Sequence, residues 1–343
     1  MTFHVVAMPQ TLTTRHFSMC GFTQKTINFC GMMKALGNKV FLYGGSENEA
    51  VCDEHVICFT ENDRKIITKH SGHYAFPSWD PNNEIWKKTN QTVIKEIKKR
   101  KQKNDFICIV QGLCQKEISD AFPDIKTVEY GIGYEGFFSK WKIFESHAWR
   151  SYCTAKCLNN YSVSIFDDVI NNFFDERQFC PVFKKKPYAL FFGRIIRSKG
   201  IEDCCDAAMQ AGINLKVAGF GDLSLIKNAE YLGQPSLEER NKLIAGASVV
   251  MCPSRFFEPF GNVACEAQLS ATPVICTNWG GFVETVEHKK TGFRCSTIKE
   301  MVEALKNLEQ INNYYVLARA IEMFSIKNKM HEYQRYFERI YDS

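Results

Sequence analysis

The chain of 343 residues alternates short apolar runs with longer amphipathic stretches from end to end, and no other feature restricts its fold as much. Strands that recur with a helix-length segment between them are joined by crossovers, so the pattern predicts parallel sheets covered by helices. In the first half, strands are expected at 3–8, 38–44, 54–59, 105–110 and 125–130, and helices at 23–36, 82–101, 114–121 and 142–157. Asp167 to Asp175 reads as the last strand and exit loop of a first domain, and the Pro-bounded, lysine-rich stretch from Cys180 to Pro187 as a linker. A second sheet follows, with strands at 188–192, 214–218, 249–252, 273–276 and near 293, and helices at 199–211, 236–246, 261–270, 282–287 and 298–308. The length exceeds one average domain. The expected division is therefore 1–180, 187–325 and a final helix within 326–343, whose aromatics fall at helical spacing and read as a packing stripe.

Two constellations in the second half carry chemistry. From Arg255 to Ala267, two carboxylates, Glu258 and Glu266, bracket seven residues that include Pro259-Phe260-Gly261 and a helix start. Pro is favoured in a first helical turn and Gly lets backbone approach a ligand, so the N–H groups of Phe260, Gly261, Asn262 and Val263 are candidates to face an anion. The bland reading is that Glu258 caps the helix and Glu266 lies on a solvated face. About sixty residues earlier, the apolar run Tyr188–Phe192 stops at Gly193 and delivers Arg194 and Lys199 into the next turn. In open α/β sheets ligands bind at the carboxyl edge of the strands, and an Arg with a Lys there suits phosphate oxygens.

Composition excludes several classes. No run of about 18 apolar residues occurs, and Met1 to Met8 enters a strand directly, without a basic leader or cleavage site, so a cytoplasmic protein is expected. The fifteen cysteines lie in or beside apolar elements and show no paired C-x-x-C units or Cys/His zinc spacing, so buried thiols and no structural metal are expected. A net charge of +5 is modest, and its one dense basic run, Lys95 to Lys103, ends an expected helix where cations complement the dipole. A nucleic-acid partner is not expected, and a weak contact of this run with a membrane surface stays open.

With Gly193-Arg194 to Lys199-Gly200, Val217-Ala218-Gly219-Phe220-Gly221-Asp222, Tyr231-Leu232-Gly233, the double-Glu motif, and Thr272-Pro273-Val274-Ile275 followed by Gly280-Gly281 and Glu284, the chain resembles retaining glycosyltransferases of the GT-B fold, glycosyltransferase family 4. The resemblance is dense in the C-terminal half. It is looser in the N-terminal half, where Glu129 to Gly136 and Phe144 to Trp149 are similar to segments of bacterial and viral members. It implies two Rossmann-like α/β domains facing a central cleft, with the last helix crossing back to the first. It implies a UDP- or GDP-sugar donor and a carbohydrate, lipid-linked or protein-glycan acceptor, with no cofactor and no metal. The absence of any Asp-x-Asp agrees with a metal-independent site. The expected roles are Arg194 and Lys199 on the departing diphosphate, Glu258 on donor-sugar hydroxyls and Glu266 on the ribose. Gly193, Gly219, Gly221 and Gly261 would let backbone approach the donor, as would Gly21 in the first strand-to-helix loop, where Thr23 is expected to start the helix.

Three features depart from that pattern. Glu129 stands where many family members have a His; it could orient a hydroxyl or satisfy backbone N–H groups in its turn. His70 and His73 are candidate acceptor-side residues. Gly131-x-Gly133-x-x-Gly136 follows a strand and satisfies the dinucleotide fingerprint, which keeps an NAD(P)-dependent oxidoreductase open, as well as a non-catalytic sugar-nucleotide binder. Its place after the fifth strand, with Phe137 and Phe138 where a helix should begin, is wrong for that motif.

Overall fold

The structure, a computed structural model, describes residues 1–68, 79–157 and 164–343. The chain forms two compact units, Met1–Glu145 with Arg150–Phe173 and Ile326–Ser343, and Ser146–Trp149 with Phe174–Ser325. The main stretch of the second unit thus begins at Phe174, ahead of the linker expected at 180–187. Phe174 N donates to the Phe324 carbonyl (2.8 Å), and the Phe174 side chain packs against buried Phe260 and Phe324.

In chain order the first unit contains β1 (Thr2–Val6), α1 (Gly21–Ala35), β2 (Lys39–Gly44), β3 (Glu54–Ile57), α2 (Glu61–Thr68), α3 (Glu84–Arg100), β4 (Phe106–Ile109), α4 (Lys116–Asp120), β5 (Lys126–Ile132), β6 (Trp141–Phe144), α5 (His147–Cys157) and β7 (Asp167–Val169). Its strands are parallel in the order β3-β2-β1-β4-β5-β6-β7. Alternate side chains feed two cores. Phe3, Val5, Val40, Leu42, Phe106 and Cys108 enter one, and Val6, Phe41, Tyr43, Ile107 and Ile109 the other. A sheet buried on both faces needs apolar residues at both phases of the pleat, which is why these strands read as continuous apolar runs.

The second unit holds β8 (Lys186–Phe192), α6 (Ile201–Ala211), β9 (Asn214–Ala218), β10 (Glu230–Tyr231), α7 (Leu237–Gly246), β11 (Ala247–Cys252), α8 (Asn262–Leu269), β12 (Val274–Thr277), α9 (Phe282–Thr285), β13 (Gly292–Cys295), α10 (Ile298–Lys306) and α11 (Asn313–Phe324). The sheet order is β10-β9-β8-β11-β12-β13, all parallel. The last helix, α12 (Ile326–Tyr341), belongs to the first unit. Its Tyr333, Tyr336, Phe337 and Ile340 are buried in the core with Phe3, Phe29 and Phe106, and Tyr336 Oη donates to the Phe166 carbonyl (3.0 Å).

Local chemistry accounts for the differences from expectation. The helix expected at 142–157 is instead strand β6 followed by α5. Trp141-Lys142-Ile143-Phe144 suits a pleated surface, and Ser146 Oγ then accepts from Trp149 N (3.0 Å), the geometry of a helix N-cap. Helix α11 was not expected, although Asn312 caps it by accepting from Tyr314 N (2.9 Å) and Tyr315 N (3.3 Å), with Val316, Ala320 and Phe324 on the buried stripe. Helix α2 and the short strand β10 were likewise not expected. The helix expected from 199 starts at Ile201, because Arg197–Lys199 forms a 3₁₀ turn ending at left-handed Gly200.

Candidate functional site

Strand order in the second unit reverses direction between β8 and β11, which lie side by side although β9 and β10 intervene in sequence. The carboxyl ends of such neighbours form the crevice where open α/β sheets hold ligands. Beyond β8 the chain turns through Gly193-Arg194-Ile195 and is tied to the loop after β9, with Gly193 N donating to Ala218 O (3.1 Å) and Ile195 N to Phe220 O (2.7 Å). Gly219 makes this approach feasible. It sits at φ +136°, and a Cβ there would collide with the Gly193 carbonyl oxygen. Tyr231 Oη closes the same loop by donating to Gly219 O (2.9 Å).

The turn after β8 also places Lys199, and the segment after β11 meets it. Lys199 Nζ lies 2.7 Å from Glu258 Oε2 and 4.4 Å from the centre of the Phe256 ring, while Ser254 Oγ donates to the same carboxylate oxygen (3.0 Å). The ammonium has three N–H directions, and only one is needed for Glu258. The backbone beside Glu258 is held from several sides. Gly281 N donates to Glu258 O (2.7 Å), Ser146 Oγ to Pro259 O (2.6 Å) and Trp279 Nε1 to Phe256 O (3.1 Å). Gly261 then opens α8 at φ +94°, where a Cβ would press on the Phe282 ring. The first-turn amides of any α-helix have no intrahelical acceptor, so α8 directs its positive end out of Asn262 and Val263. Cys252, at the end of β11, is no nucleophile: burial first, and the Glu258 charge second, push its thiol up to about 12.

Glu258 therefore does not cap a helix, and Glu266 does not lie on a solvated face. Glu266 forms an ion pair with Arg240 (2.5 Å); both side chains are largely buried, and the guanidinium stands 5.4 Å from the Phe192 ring centre. Arg194 leaves the same end of β8, half-buried. The Phe260 side chain is buried against Phe324 (ring centroids 5.8 Å apart), so only its backbone remains available to a ligand. Sequence reading missed Arg240, Ser254 and Ser146. Of these only Ser254 carried a signal, standing two residues past the end of an apolar strand.

The remaining candidates belong to the first unit or fall outside the described residues, as His70 and His73 do. Gly21 is the first residue of α1, whereas Thr23, expected to start it, is buried with its hydroxyl 2.5 Å from that of Thr11. The glycine fingerprint opens no helix: the segment after Gly136 leads into β6, and Gly131 and Gly133 pack on the buried Lys25–Glu145 ion pair. That removes the feature on which the dinucleotide reading stood. In the basic run, Lys99 pairs with Glu96, Arg100 with Glu54 and Glu96, and Lys101 with Asp124. No helix among the described residues is long and apolar enough to cross a membrane.

Glu129 takes the second of its two readings. It is fully buried and accepts from Phe138 N (2.7 Å), Ser139 N (2.6 Å) and Tyr134 Oη (2.9 Å), which closes its turn and leaves it no access to an acceptor. Burial raises its carboxyl above the usual value, against the pull of these donors. A folded carboxyl that keeps its proton to higher pH than the unfolded chain stabilises at low pH, and that contribution disappears as pH rises through the folded value. Glu129→Gln should therefore lose less stability than the parent as pH rises above the ordinary glutamate range, read as urea midpoints; parallel profiles would contradict this.

Residues 172–316 match the family described as Glycosyl transferases group 1. That segment is similar to group 1 glycosyl transferases. It contains every residue of the β8/β11 site except Ser146. The chain is 34% identical over 118 residues to an uncharacterized glycosyltransferase of Methanocaldococcus jannaschii, a match covering 30% of this chain and 30% of that relative's own length. Over the whole chain it resembles the structure of AviGT4, a glycosyltransferase involved in avilamycin A biosynthesis (TM-score 0.74, 17% identity, covering 100% of this chain and 98% of that one). It also resembles Anabaena HepE, solved in complex with UDP and glucose (TM-score 0.65, 15% identity, covering 99% and 100%). At these identities the likeness establishes the fold, which is GT-B: two parallel-sheet Rossmann-like domains.

Proposed function

We propose that the chain is a glycosyltransferase that moves a sugar from a UDP- or GDP-sugar to an acceptor hydroxyl, with retention at the anomeric carbon and without a divalent metal. The observation that carries this is the cluster of Lys199, Ser254 and Glu258 at the β8/β11 carboxyl edge, inside the segment similar to group 1 glycosyl transferases. Breaking the anomeric C–O bond leaves negative charge on the departing diphosphate. Lys199 and Arg194, with the positive end of α8, are fixed groups that meet charge as it develops. Glu258 holds the ammonium in place and has a second carboxylate oxygen for sugar hydroxyls. Glu266 is oriented by Arg240 and accepts from the ribose. HepE, whose structure holds UDP and glucose, supports a UDP-sugar as the first donor to test.

The direct test is release of UDP or GDP from a panel of nucleotide sugars with a mixed set of carbohydrate acceptors. Turnover with EDTA present supports transfer without a divalent metal, and saturable nucleotide binding with no turnover of any pair would mark a binding protein instead. Glu266→Ala should weaken nucleotide binding by about 1–3 kcal/mol through loss of charge-assisted hydrogen bonds. Equal affinity by calorimetry would remove Glu266 from the donor site.

A further inference from the structure

The segment from Ser254 to Phe260, which carries Glu258, lies between β11 and α8 in neither helix nor strand, so no ladder of its own fixes its backbone. Its carbonyls are instead held one by one from a single neighbour, the stretch from the end of β12 through α9. Thr277 Oγ1 donates to Ser254 O (2.8 Å), Trp279 Nε1 to Phe256 O (3.1 Å), Gly281 N to Glu258 O (2.7 Å) and Thr285 Oγ1 to Phe260 O (3.3 Å). Every second carbonyl of the loop thus has a donor from one template. The two glycines after Trp279 make the approach possible: a Cβ on Gly280 would stand 2.9 Å from Glu258 O, and one on Gly281 2.6 Å from Phe260 Cα.

Gly281 donates through its backbone, and Thr285 is buried in the core. Trp279 is different. Its ring is 42% exposed and meets Phe257 edge to face (4.8 Å), so it adds little to the core. Its distinctive contribution is the N–H, and the carbonyl it holds belongs to the residue that touches Lys199. The Phe256 ring centre lies 4.4 Å from the Lys199 ammonium, and Arg255 N (2.8 Å) and Phe256 N (3.3 Å) both donate to the carbonyl of Ser198, the residue before Lys199. A chain of contacts therefore runs from the indole N–H through Phe256 to the cation on which the transfer reading depends. Without that N–H the Phe256 carbonyl loses this donor, and the ring against Lys199 is free to tilt.

We infer that Trp279 is a positioning residue, whose indole N–H fixes Phe256 and through it the Lys199 ammonium. Its effect on turnover rests on the transfer reading above, whereas its effect on the loop does not. The test sets Trp279→Phe against Trp279→His in the full chain. Phenylalanine keeps an apolar ring and lacks the N–H, while Nε2 of histidine stands in the same place on its five-membered ring as Nε1 of the indole and can donate. Packing favours the first variant and positioning the second. Two quantities are read: kcat for nucleotide-sugar turnover, and hydrogen exchange at the Arg255 and Phe256 amides. Trp279→Phe should lower kcat by between about fivefold, the scale of one lost hydrogen bond, and about a hundredfold, the scale of an ångström's misplacement, and should speed exchange at both amides at least about fivefold. Trp279→His should lie closer to the parent in both. The half-exposed ring predicts an unchanged melting temperature; if Trp279→Phe melts lower, Trp279→Met, which also lacks the N–H, takes its place. Parental kcat or parental exchange rates in the variant without the N–H, or a histidine variant no better than it, overturn the assignment and leave the transfer reading standing. If the parent itself turns over no donor, the transfer reading fails separately and exchange alone decides: faster rates without the N–H support the positioning, and parental rates overturn it.

Discussion

Lys199→Ala will lower sugar-transfer turnover by at least about tenfold, and up to about a thousandfold if the ammonium is a principal donor to the leaving diphosphate. The basis is its geometry: a half-buried amine held 2.7 Å from Glu258 and over the Phe256 ring, at the carboxyl edge of the central strands. Arg194→Ala, which removes the second cation from the same turn, should fall in the same range. A merely structural lysine would change melting temperature with little effect on kcat, so both are measured. The expected pattern is a large loss in kcat with nearly unchanged thermal stability. Lys199→Arg should recover part of the rate by keeping the charge. Unaltered turnover in both alanine variants would remove these residues from the mechanism.

The second large effect is on stability. Phe337→Ala should destabilise the first unit by about 3–5 kcal/mol, the usual cost of deleting a fully buried aromatic. Phe337 has no exposed surface and meets Phe3 (4.7 Å) and Phe106 (5.0 Å) edge to face, with Phe29 at 6.1 Å. These partners come from β1, β4 and α1, so the cavity would open at the centre of the sheet, where rigid neighbours cannot collapse into it. Urea unfolding followed by fluorescence reads the change, and a loss under about 1 kcal/mol would show that α12 is peripheral to the core.

Much of this architecture was legible because buried parallel strands have a plain signature. The run Tyr188-Ala189-Leu190-Phe191-Phe192 must serve two cores at once and therefore cannot alternate with polar residues. The same logic misled at Trp141–Phe144, four residues equally suited to a strand or the first turn of a helix, where the Ser146 cap decides and is visible only once the helix is placed. At the site, Lys199 and Glu258 were each legible as candidates from their motifs. Their pairing across 59 residues was not, since it depends on β8 and β11 being neighbours. Arg240 was hidden for a related reason. It lies in Leu237-Glu238-Glu239-Arg240, which reads as a solvated helical turn, and only the fold turns it inward onto Glu266. Glu129 left two roles open because burial, which selects the structural one, cannot be read from its neighbours in sequence.

Calorimetric titration of the intact chain with UDP and GDP, in EDTA and beside the Lys199→Ala variant, tests the central claim most directly. Saturable binding of at least one diphosphate without metal is predicted, at least about tenfold weaker in the variant, in line with one charge-assisted contact. No binding of either nucleotide, or equal binding by parent and variant, would contradict a diphosphate site at the β8/β11 edge.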